Sequence, residues 1–134
     1  MNKEALELLA ALVRCPSVTP KPAGVFDLLR NRLVALGFAV DLVAFDGDGS
    51  YRVENLFATR GETGPHLLFA GHTDVVPPGD VAAWTHPPFA AETVGSRLYG
   101  RGAADMKSGI AAFIAAAAAG SPRARDRRSA PARR

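Results

Sequence analysis

Cysteine is all but absent from this chain: Cys15 stands alone among 134 residues. No intramolecular disulfide can form, so a disulfide-stapled secreted scaffold is excluded and a reducing compartment fits. Long hydrophobic runs are missing too. The longest uncharged apolar stretch, Ile110 to Ala119, is ten residues and mostly alanine, against the roughly 20 needed to span a bilayer. The start, MNKEALELLAALVR, does not read as a secretory leader, because Glu4 and Glu7 interrupt any apolar segment and no small-residue cleavage site follows. The cytoplasm is therefore the expected location, and no membrane partner is expected. No internal repeat, P-loop, CxxC pair or G-x-S-x-G turn is found, which removes the common signatures of nucleotide, redox and serine-hydrolase chemistry.

An excess of positive charge is lacking where it would matter. The formal net charge is +3, but residues 121–134 alone hold six arginines and one acid, Asp126. The first 120 residues carry ten basic and twelve acidic side chains. A nucleic-acid-binding domain carries its basic charge on the folded part, so nucleic acid is not an expected partner. The stretch GSPRARDRRSAPARR has no aliphatic side chain larger than alanine and no aromatic. It cannot bury enough apolar surface to offset ordering, so disorder is expected over 121–134. A basic arm for nucleic acid or a membrane surface is one reading of it. The favoured reading is sequence without a role, of the kind that GC-rich DNA gives when read out of frame.

What is present is an alternation of helical and strand patterns over residues 1–120. Ala5, Leu8, Leu9, Leu12 and Val13 recur at helical spacing and predict a helix over 3–14, ended by Pro16. CPSVTPKP follows as a loop. A second helix is predicted over about 23–36, with Phe26, Leu29, Leu33 and Leu36 on one face and Gly37 suited to the left-handed position after its end. Strands are expected at about 38–45 and 53–59, joined by the turn chemistry of DGDGS. The almost wholly apolar HLLFA, 66–70, predicts a strand buried on both faces. Residues 76–89 read as a long loop, 98–102 as a short strand, and a last helix is expected from near Asp105 to about Ala119.

Two features between Leu67 and Phe113 suggest metal chemistry. In Gly71-His72-Thr73-Asp74, residues at i and i+2 of an extended segment point the same way. His72 and Asp74 can then share one site, the imidazole binding a metal and the carboxylate holding its other ring nitrogen. The carboxyl end of a buried strand is also where open α/β sheets place ligands. In Gly100-Arg101-Gly102-Ala103-Ala104-Asp105-Met106-Lys107, Asp105 falls where a helix is expected to start. A carboxylate there serves as an N-cap, or bridges two metal ions through its two oxygens. On spacing alone both features have plainer readings: His72 as a packed or hydrogen-bonded side chain, Asp105 as a cap. His66 and His86 are expected to be structural or exposed, and nothing marks Cys15 as a nucleophile.

Taken together, GHTDVVPPGD, the W-x-x-PPF segment at Trp84 to Phe89 and LYGRGAADMKSGIAAF resemble the dinuclear zinc metallopeptidase family of N-acyl amino acid deacylases and related carboxypeptidases. The resemblance covers residues 1 to about 119. It implies an α/β fold, the N-terminal portion of a mixed-sheet zinc-peptidase catalytic domain. It implies that His72 binds one zinc, that Asp105 bridges two, and that Asp74 is a catalytic residue that orients His72 and tunes its basicity. The implied cofactors are two Zn2+, with Co2+ or Mn2+ tolerated by the same ligand types. The implied substrate is a small N-acyl amino acid, and the implied assembly of the complete enzyme is a homodimer. Within the family, HTDVVPPGD, GRGAADMK and CPSVTP are closest to the branch that removes succinate from N-succinyl-diaminopimelate in lysine synthesis. A deacetylase acting on acetylated ornithine is the alternative.

The departures from the family pattern are as informative. Nothing after Asp105 matches its catalytic glutamate, its later carboxylate ligands, its C-terminal histidine or its smaller domain, and no substrate-binding residue can be assigned. The expectation is a catalytic portion that is inactive and poorly stable by itself. The rivals are a pseudoenzyme completed by a partner and a non-catalytic fragment acting through its arginine-rich tail.

Overall fold

The computed structural model describes residues 3–47, 49 and 51–120; the expected disorder of 121–134 lies outside these. Helix α1 is Lys3–Arg14, with Glu4 in its first turn and Arg14 in its last, each placed where the helix dipole favours its charge. Its buried stripe is the one its spacing predicts: Ala5, Leu8, Leu9, Leu12 and Val13. Helix α2 is Val25–Ala35, and Leu36 caps its end. Gly37 follows at φ 82°, its N–H donating to Val34 O at 2.9 Å while Phe38 N–H donates to Leu33 O at 3.0 Å. This paired closure satisfies the last carbonyls of α2 and turns the chain into a strand.

Strands β1, Ala39–Phe45, and β2, Val53–Thr59, form an antiparallel hairpin in which Ala39 lies opposite Thr59 and Phe45 opposite Val53. A smaller antiparallel pair follows, β3 (Glu92–Val94) with β4 (Arg97–Tyr99). The long loop between the hairpins holds one 3₁₀ turn, Val81–Ala83, whose Ala82 N–H is taken by Asp80 Oδ1 at 3.0 Å. Helix α3 is Ser108–Ala119.

The core forms where α1, α2 and α3 meet the first hairpin. Leu8, Leu9, Leu12 and Val13 of α1, Val25, Leu29 and Leu33 of α2, and Ile110, Ala111 and Ile114 of α3 make one buried cluster, with Val40 and Leu56 packed against it. The alanines of α3 let α1 approach closely, which suits a contact between two apolar helix stripes. Arg60, just beyond β2, donates to Leu36 O and to Ala117 O, each at 3.2 Å, and lies 4.6 Å above the Phe38 ring. One guanidinium thus ties the ends of α2 and α3 to the hairpin.

Two expectations are overturned. HLLFA is not a strand: it makes no ladder, and Leu67 and Leu68 are 88% and 79% exposed. Its apolar pattern needs paired strands on both sides, and the described residues supply neither. Helix α3 does not begin at Asp105 either. Ala103–Lys107 form a wide π-like turn in which Asp105 (φ −122°, ψ 102°) and Met106 (φ −130°, ψ 29°) leave helical dihedrals. Asp105 therefore caps nothing, and the residue before α3 is Lys107.

Lys107 is fully buried. Its Nζ donates to Leu12 O and Cys15 O, both at 2.9 Å. Burial lowers its pKa, and the carbonyls at the negative end of α1 compensate its charge. Lys107→Met removes the charged donor from Leu12 O and Cys15 O, leaving them the main-chain N–H groups of Cys15 and Ser17; hydrogen bonds to a charged group contribute about 1.5–3 kcal/mol each. The expected outcome is a loss of about 3 kcal/mol or more in urea denaturation, against less than about 0.5 kcal/mol for an exposed control such as Val34→Ala.

Candidate metal centre

The site is built where three segments without regular structure meet: the loop after α1, the stretch 71–75, and the turn 103–107. Val18 and Val75 pair in the parallel sense. Val75 N–H donates to Ser17 O at 2.9 Å and Thr19 N–H donates to Val75 O at 3.2 Å. The buried Ser17 hydroxyl donates to Thr73 O at 2.7 Å. This short ladder anchors the chain at Thr73 and Val75, on either side of Asp74.

His72, Asp74 and Asp105 come together. His72 Nε2 lies 3.1 Å from Asp105 Oδ1. His72 Nδ1 lies 3.0 Å from the main-chain oxygen of Asp74 and 3.4 Å from its Oδ1. The carbonyl only accepts, so Nδ1 carries a proton and donates it there. The closest contact from Asp74 to the ring is thus its backbone, with the carboxylate a little further out. With acceptors at both nitrogens the ring's pKa is raised, first by the bond to the Asp74 carbonyl, then by the Asp105 carboxylate, with desolvation opposing. His72 N–H also meets Met106 Sδ at 3.4 Å, which joins the two halves of the site behind the ring. The peptide between Asp105 and Met106 is cis.

Residues with no assigned role in the sequence reading complete the picture. Thr19 Oγ1 donates to Asp74 Oδ2 at 2.6 Å. Lys107 anchors the turn that carries Asp105. Gly102 stands at φ 80°, and a Cβ there would lie 2.5 Å from Val75 Cγ1. None of these has a periodic signature; a hydroxyl before a proline or a lysine at a helix start reads as ordinary surface. His86 lies outside the centre, with Nδ1 2.6 Å from Glu92 Oε2 and its ring against Tyr99. His66 is exposed. A cleft of about 1020 Å³ has Ser17, Thr19, His72 and Asp74 in its lining, together with the apolar Phe26, Phe69 and Phe113.

The donor set fits part of a metal site. An imidazole nitrogen and a carboxylate oxygen 3.1 Å apart are close to the ~3.3 Å that separates two tetrahedral ligands of a zinc ion at ordinary bond lengths. Among the described residues no group of three or more His, Cys, Asp or Glu side chains converges as metal donors.

The chain is similar to known proteins. Residues 68–127 match the family model described as peptidase family M20/M25/M40, and the match spans both His72 and Asp105. Over those residues the chain is similar to part of a domain of that peptidase family. Over 116 residues, 87% of its length, it is 54% identical to succinyl-diaminopimelate desuccinylase of Rhodospirillum centenum (strain ATCC 51521 / SW), and it spans 30% of that relative. Among solved structures it resembles human carnosine dipeptidase 1, with a TM-score of 0.75 and 26% identity, over 87% of this chain and 28% of that one. The α/β fold expected from sequence is that of a partial peptidase domain. Among the described residues no helix is long and apolar enough to cross a membrane.

Gly102→Ala combines a left-handed backbone, which costs an L-residue about 1–2 kcal/mol, with the clash on Val75. The expected loss exceeds that range in chemical denaturation. Gly37→Ala, which meets nothing within 4 Å, stays within it.

Proposed function

We propose that this chain is the metal-binding N-terminal portion of a zinc-dependent amide hydrolase whose reaction is N-succinyl-diaminopimelate plus water to succinate plus diaminopimelate. The observation that carries the reading is the approach of His72 Nε2 to Asp105 Oδ1 at 3.1 Å, inside the segment that matches the peptidase family. The 54% identity to a desuccinylase supports the substrate over the acetylated-ornithine and dipeptide alternatives.

In this reading His72 and Asp105 would hold zinc, with Co2+ or Mn2+ as substitutes. When bound, such ions polarise the amide carbonyl and lower the pKa of water enough to supply a nucleophile near neutral pH. The chain's own residues prepare that. The Asp74 carbonyl accepts a hydrogen bond from Nδ1, which leaves Nε2 as the ring nitrogen that would bind a metal ion beside Asp105. Asp74 supplies negative charge beside the ring and raises its basicity as a donor. Lys107 and Gly102 fix the turn from which the Asp105 carboxylate projects. A cytoplasmic location and a homodimer of the complete enzyme belong to the same proposal.

Two protein donors are fewer than the three or four of a tight zinc site. The 134-residue chain is therefore expected to bind Zn2+ weakly in titration calorimetry, to lose that binding on His72→Ala or Asp105→Ala, and to show no turnover by itself. The reaction is tested by replacing the corresponding segment of the Rhodospirillum centenum desuccinylase with residues 1–119. The chimera is expected to hydrolyse N-succinyl-diaminopimelate, and to lose that activity on either substitution. A chimera that folds and binds zinc but prefers acetylornithine or a dipeptide overturns the substrate assignment.

A further inference from the structure

We infer that Thr19 is a positioning residue for the metal centre: its hydroxyl holds the Asp74 carboxylate beside the His72 ring, where it reinforces the tautomer and orientation that the Asp74 carbonyl begins to set. The inference rests on the reading of His72 as a ligand, and adds to it a residue from a different segment of the chain.

The Asp74 side chain is 54% exposed, so solvent competes for it and its rotamer is not set by packing. Among the described residues, the one hydroxyl donating to its Oδ2 is Thr19 Oγ1, at 2.6 Å. A carboxylate only accepts, so the proton in this contact belongs to threonine, and hydrogen bonds to an ionised oxygen are the short, strong ones. Holding Oδ2 on the side of the α1 loop leaves Oδ1 on the side of His72, 3.4 Å from Nδ1. The same threonine is fixed by its main chain, Thr19 N–H donating to Val75 O. Its hydroxyl therefore presents itself from a rigid position rather than a mobile one. Two segments 55 residues apart in sequence are joined at the residue that faces the imidazole.

The division between main chain and side chain makes the role testable. Substituting the side chain leaves the Val18–Val75 bridge and both main-chain bonds in place, so a purely architectural role survives it. The full chain is compared with Thr19→Val, Thr19→Ser and Asp74→Ala, each checked by thermal melting. The first readout is the pair of 15N shifts of the His72 ring in the metal-free chain, at a fixed pH where the ring is neutral. Thr19→Val is expected to shift them toward a mixture of tautomers, Thr19→Ser to restore the wild-type values, and Thr19→Val on the Asp74→Ala background to add nothing. The second readout is Zn2+ affinity, expected to fall about tenfold in Thr19→Val, the lower end of the effect of removing an outer-shell partner, and to recover in Thr19→Ser.

Ring shifts unchanged by Thr19→Val overturn the inference, as does a change that Asp74→Ala does not abolish. A lowered melting temperature with an unaltered ring overturns it as well, by assigning Thr19 to architecture alone. Because the ring is read without metal, that arm decides the role of Thr19 whatever zinc does. Zinc binding that survives His72→Ala overturns the metal-site reading separately.

Discussion

The buried ammonium of Lys107 is the interaction on which the rest of this structure turns. It satisfies two carbonyls at the end of α1, which welds the first helix to the turn that precedes the last one. Everything near the site hangs from that weld. On one side the loop after Cys15 runs out to Ser17 and Thr19 and ladders onto Val75. On the other the turn carries Asp105 to within 3.1 Å of His72. A charge with no carboxylate partner among the described residues is tolerated in the interior because oriented carbonyls at a helix C-terminus act in place of a counter-ion.

The fold was legible where a pattern is local. The apolar stripe of α1, the left-handed Gly37 after α2 and the two strands of the first hairpin lie where spacing and turn chemistry place them, since each is decided by a few neighbouring residues. It was illegible where a pattern depends on partners. HLLFA has the composition of a doubly covered strand, but a strand is defined by what it pairs with, and here Leu67 and Leu68 face solvent. The start of α3 misled for another reason. A carboxylate after a glycine turn reads as an N-cap, whereas Asp105 adopts extended dihedrals that turn its side chain to His72 rather than to the helix behind it.

The centre was half legible. His72 and Asp74 were visible as a pair because an extended i, i+2 spacing is a geometric statement. Asp105 was visible alone, as a cap or a bridging carboxylate, and was joined to His72 only through the resemblance of the whole motif, since 33 residues separate the two and no periodicity links them. Thr19 and Lys107 had no local signal: their partners are 55 and 95 residues away. What they share is that each donates across the fold to an oxygen whose position matters more than its identity.

That the nearest acceptor for His72 Nδ1 is the peptide oxygen of Asp74 has a bearing on how this centre can vary. Side chains are exchanged one at a time by mutation, but a peptide oxygen is present at position 74 whatever residue stands there. The aim of the imidazole is therefore written first in the path of the chain from Thr73 to Val75, and the side chain of residue 74 reinforces that aim and trims the ring's basicity. Drift at that position can tune the electron density offered at Nε2 while the main chain keeps part of the direction in which it is offered.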